Sequence, residues 1–78
     1  MKERKGWIRK DGHKYSVVID DKGNTIPVSS VLFPTAISTM GATKLSWVIA
    51  NYLMNGEFPF KVSEKIEDEV KRAIGDRG

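Results

Sequence analysis

One apolar stretch outweighs the rest of the chain: Leu45-Ser-Trp-Val-Ile-Ala-Asn-Tyr-Leu-Met54, followed by Asn55 and Gly56. At roughly 100° per residue, Leu45, Ile49, Ala50, Tyr52 and Leu53 share one broad face, and Lys44, Asn51 and Asn55 occupy a narrow polar strip. That spacing predicts a helix with one side buried. Trp47 and Met54 fall on its flank, and Gly56 stands where a left-handed residue ends a helix. Thr43 is the expected N-cap. A shorter pattern precedes it: Pro34 suits a first helical turn, and Thr35 to Met40 can form about two turns before Gly41. At the C-terminal end, Val62, Ile66, Val70, Ala73 and Ile74 form a narrow apolar stripe behind Ser63, a good N-cap, which predicts a final helix to about Ile74. Glu67–Lys71 and Asp68–Arg72 are correctly oriented i,i+4 pairs in it.

The N-terminal third reads differently. Trp7-Ile8-Arg9-Lys10, then Tyr15 and Val17-Val18-Ile19, then Thr25-Ile26-Pro27-Val28 are runs of strand length rich in β-formers. Asp11-Gly12 between the first two predicts a two-residue hairpin turn. Asp20-Asp21-Lys22-Gly23-Asn24 predicts a second turn, with Gly23 in a left-handed conformation. Pro27 cannot donate to a ladder, so the third strand belongs at an edge. The expected fold is α+β: an N-terminal two- to three-stranded antiparallel β-meander packed against two or three C-terminal α-helices. It forms one small domain over residues 1–78, with a charged lead-in at 1–5, the meander at 6–28 and the helical part at 34–75. Val31-Leu32-Phe33 is too short for its periodicity to choose a conformation, and either Phe58 or Phe60, flanking Pro59, is expected to fill the core.

Composition narrows the chemistry. The chain has 78 residues, no cysteine and a single histidine, His13. A structural zinc site and thiol chemistry are thereby excluded within one chain, and most Ser/His nucleophile systems would need a partner to complete them. Asp20-Asp21 with Gly23 lacks the ordered acidic positions of a calcium loop and is expected to be a turn. Gly41-Ala42-Thr43-Lys44 lacks the full spacing of a phosphate loop. We therefore expect no enzyme activity, cofactor, metal or small-molecule substrate. No apolar run approaches the roughly 20 residues of a membrane span, and no signal-peptide pattern follows the N-terminal lysines, so the reading is a cytoplasmic protein without membrane contact.

Charge supplies the positive clue. The net charge is only +3, but Lys2, Arg4, Lys5, Arg9, Lys10 and Lys14 face only Glu3 and Asp11 in the first fourteen residues. Arg9, Lys10, His13 and Lys14 flank the expected hairpin turn, with Trp7 and Tyr15 close by. Cations interleaved with aromatics suit a surface that neutralises phosphates and stacks on bases. Each feature has a plainer reading: lysines along a strand discourage aggregation, and Trp7 is more readily a core residue than a contact.

The order short helix, Gly41, helix, Asn55-Gly56, Pro59 loop, helix over residues 35–74 resembles Cro/repressor-like helix-turn-helix domains of bacteria and phages. Met40-Gly41-Ala42-Thr43, Val48 with Asn51, Tyr52 to Glu57 with Pro59, and Val62 to Ile66 carry the resemblance. It implies that the helix after Gly41 enters the major groove, with Lys44, Trp47 and Asn51, joined by Ser46, facing DNA. This chain departs from the family in beginning with a hairpin and in placing the apolar anchor at Val48, one residue late. The expected function is a small DNA-binding transcriptional regulator of phage or mobile-element type, with DNA ahead of RNA as partner. The competing expectation is a non-catalytic interaction or inhibitor module that binds a host enzyme. Trp7, Trp47, Met54 and Phe58 would be its anchors, and a homodimer burying Trp47 and Met54 fits the same surface.

Overall fold

The computed structural model describes residues 7–74. The charged lead-in at 1–5 and the end of the chain from Gly75 lie outside the described residues. Three strands, β1 (Trp7–Asp11), β2 (Lys14–Val18) and β3 (Thr25–Val28), form one antiparallel sheet in the order β1-β2-β3, followed by α1 (Pro34–Asn55) and α2 (Glu64–Ile74). This is the expected α+β arrangement, with three strands and two helices.

The first turn is displaced by one residue from its expected place. Asp11 pairs with Lys14, so the two loop residues are Gly12 and His13. Gly12 has φ 68°, and among the described residues no non-glycine residue has positive φ. A loop with only its first residue left-handed is served by glycine there, whereas an Asp11-Gly12 loop of the doubly left-handed kind needs an aspartate at positive φ. The second turn is as expected, with Gly23 at φ 85°. Asp20 organises it. Its carboxylate accepts from the side chain of Asn24 at 2.7 Å and from the backbone N–H groups of Lys22 and Asn24 at 2.9 and 3.1 Å. The Asn24 side chain leads these contacts in holding the Asp20 carboxyl below its usual range. The acid is thus spent on the turn.

Opposed residues in an antiparallel sheet lie on the same face, and faces alternate along each strand. The register therefore puts Ile8, Lys10, Tyr15, Val17, Ile26 and Val28 on one face and Trp7, Arg9, Asp11, Lys14, Ser16, Val18, Thr25 and Pro27 on the other. The helices cover the first face. Val17, Ile26 and Val28 join Phe33, Ala36, Leu45, Ile49 and Leu53 of the α1 region and Ile66, Val70 and Ile74 of α2 in one core. The helix face is broader than its periodicity indicated, because Val48 and Ser46 are also fully buried. Ser46 is consequently withdrawn from the DNA-facing strip, and its hydroxyl donates to the Ala42 carbonyl at 2.7 Å. Pro27 lies in edge strand β3, as its missing N–H favours, with its ring on the outer face.

Residues 29–33 resolve as a turn that ends in a fully buried Phe33, whose N–H donates to the Ser29 carbonyl at 2.9 Å. Pro34 opens α1. The helix is broken at Gly41, with φ 86° and ψ 164°, where the expected short and long helices meet. Gly56 closes it at φ 80°, its N–H donating to Tyr52 O at 2.9 Å. Ser63 caps α2, its hydroxyl accepting from the Ile66 N–H at 3.3 Å. Lys71 and Glu67 close their ion pair at 2.8 Å, whereas the matching Asp68–Arg72 pair does not form among the described residues.

Candidate nucleic-acid interface

The hairpin cations are not gathered on one surface. Arg9 and Lys14 are diagonal neighbours on the outer face, with Asp11 directly opposite Lys14. His13 sits in the turn. Trp7 also faces outward, 61% exposed, and is not a core residue: its partner across the ladder is Val18, on the side away from the helices. Lys10 lies on the other face, its ammonium 5.7 Å from the centre of the Tyr15 ring. That distance brings it within cation–π range.

Tyr15 is the joint between sheet and helix. Its phenol oxygen accepts a hydrogen bond from the Thr43 hydroxyl at 2.9 Å. Thr43 therefore spends its side chain on the sheet and does not cap the helix as expected. One residue on, the Lys44 ammonium lies 5.0 Å from the centre of the Phe60 ring. Phe60 in turn stacks with Trp47, ring centres 6.1 Å apart at 29°. Lys44 and Trp47, three residues apart, share a helix face, and Phe60 reaches both because Pro59 fixes the loop that carries it. The result is two sets of contacts, Lys10–Tyr15–Thr43 and Lys44–Phe60–Trp47, which meet at the adjacent residues Thr43 and Lys44 of α1 and together form a strip across the two candidate surfaces. Trp47 is 48% exposed and Phe60 36%.

Beside the strip is an open groove of about 530 Å³, bounded by Thr39, Met40 and Lys44 on one side and Phe60 to Ser63 and Ile66 on the other. Lys61 lies on its wall and no carboxylate lines it. Among the described residues, Arg9, Lys10, Lys14, Lys44 and Lys61 have no ion-pair partner.

The remaining candidates are placed less freely. Asn51 donates to the Trp47 carbonyl at 2.9 Å and accepts from the Asn55 amide at 3.4 Å, so helical spacing engages both ends of its side chain. Phe58 is half-buried, stacked on Tyr52 at 4.7 Å and 18°, and is the aromatic of its loop that packs inward. Met54 is 55% exposed. The sequence reading missed Phe60 and Lys61 as site residues and Thr43 as a link. A Phe-Lys pair just after a proline was the available signal for the first two, while the Tyr15–Thr43 contact spans 28 residues and leaves no local pattern.

Among the described residues no cluster of His, Asp or Glu could hold a metal ion, and no helix is long and apolar enough to cross a membrane. Comparison with protein-family models, with curated proteins and with solved structures found no match to this chain.

Proposed function

We propose that this chain is a small nucleic-acid-binding protein, with DNA as its first target and a regulatory role of the helix-turn-helix kind. The observation that carries this reading is the strip from Lys10 through Tyr15, Thr43, Lys44 and Phe60 to Trp47, in which each of the two lysines lies by an aromatic ring. Lysine ammoniums without carboxylate partners remain available to phosphates, and the rings offer faces to bases. Arg9 and Lys14 extend the positive field around the hairpin. The resemblance of residues 35–74 to helix-turn-helix domains supports the same conclusion.

A salt series tests it. With about four cations on phosphates, affinity for duplex DNA falls roughly a hundredfold between about 50 and 200 mM salt. Lys10→Ala and Lys44→Ala each flatten that dependence by about one phosphate contact. Absence of binding to duplex and single-stranded nucleic acid alike at low salt overturns the proposal.

One observation favours a second reading, a protein-interaction module. Trp7 and Met54 are 61% and 55% exposed, and aromatics and methionine are enriched in interfaces. A single stoichiometric protein partner retained through nuclease and high salt, and lost on Trp7→Ala, would establish that reading in place of the first.

A further inference from the structure

The groove beside the strip has the chemistry of a seat for an unpaired nucleotide. Its walls are apolar at Met40, Phe60 and Val62, positive at Lys44 and Lys61, and free of carboxylates. Lys44 is already drawn over the Phe60 ring. A phosphate between the two ammoniums would therefore hold a base against the same ring.

We propose that this groove binds single-stranded nucleic acid, taking one nucleotide with its phosphate between Lys44 and Lys61 and its base against Phe60, while a neighbouring base stacks on Trp47. The proposal rests on the nucleic-acid reading above and deepens it. It distinguishes single strands from duplex for two reasons. Base faces in a duplex are stacked on one another and cannot reach a ring in a groove wall, whereas those of a single strand can. Phe60 also lies against the Lys44–Trp47 face of α1, so an unpaired base reaching that face meets an aromatic surface as well as a cation.

The test uses the full chain carrying Trp7→Phe, so that Trp47 is the sole indole reporter. Titration with a short oligothymidylate is expected to quench Trp47 emission. Phe60→Ala weakens this binding about tenfold, Phe60→Tyr restores it, and Lys44→Ala with Lys61→Ala lowers its salt dependence by about two phosphate contacts. Phe60 is partly exposed, and an unchanged circular dichroism spectrum verifies that Phe60→Ala still folds. Duplex binding that responds to Arg9→Ala, with no oligothymidylate binding or none sensitive to Phe60, overturns the single-strand proposal and leaves the broader reading standing. Polyglutamate quenching Trp47 in preference to oligothymidylate overturns it in favour of an acidic peptide. Failure of both nucleic acids to bind removes both proposals.

Discussion

Glu69 on α2 does for α1 what no residue at the start of α1 does for itself. Its carboxylate accepts from the N–H groups of Thr35 and Ala36 at 2.9 and 3.0 Å, and the residue at the N-cap position, Phe33, supplies no side-chain bond. Partial burial raises the Glu69 carboxyl, but hydrogen bonds from Thr35 and Ala36 and the charge of Lys65 outweigh it, leaving the group below its usual value. A depressed carboxyl stabilises the fold above its unfolded value, near 4.5, and that contribution disappears as pH falls through the folded value. Glu69→Gln should therefore cost about 1 kcal/mol at neutral pH. The gap between wild type and variant in urea unfolding should narrow in acid. A gap that widens in acid contradicts the account. Local pairings such as Glu67–Lys71 were legible in the sequence because helical spacing dictates them. Glu69 was not, because its partners lie more than thirty residues away in the chain.

Elements were legible where a residue type forces a boundary. Pro34, Gly56 and Ser63 each stand where the helices start or stop, and the apolar spacings of α1 and α2 named most of their buried faces. The first hairpin turn was misplaced by one residue because Asp11-Gly12 and Gly12-His13 are both acceptable turn pairs, and only the ladder register chooses. Gly41 is the most demanding of these boundaries. At φ 86° and ψ 164° it occupies a region open essentially to glycine alone, although a β-carbon there would meet no neighbour. The penalty for Gly41→Ala is thus conformational and not steric, about 1–3 kcal/mol. It should appear as a lower urea midpoint with an unchanged slope. Alanine also favours a continuous helix, which would pull Thr43 away from Tyr15 and separate the two halves of the strip. A stability equal to wild type would show that the break is not imposed by this residue.

At the scale of the whole molecule, the α+β order was legible because the period of the apolar pattern changes once, from strand to helix, along the chain. The strip was half legible: its two ends were visible as charge and aromatic patterns, and their union depends on packing the sheet against α1. Burial of Trp7 was misjudged because a tryptophan in a small domain is usually needed inside, whereas here aliphatic side chains and Phe33 fill the core. Both tryptophans are substantially exposed in the native state. Emission should accordingly shift little on unfolding while the helical circular dichroism signal collapses. A strongly blue-shifted native band would be incompatible with this structure. Pro27 carries one further consequence. Pro27 has no N–H to donate, so a strand added along β3 would lose a ladder bond there, and among the described residues β1 is the margin of the sheet without a proline. Copies of this protein that met by extending the sheet would favour β1 against β1, because growth onward into a fibre must also use the margin that Pro27 weakens.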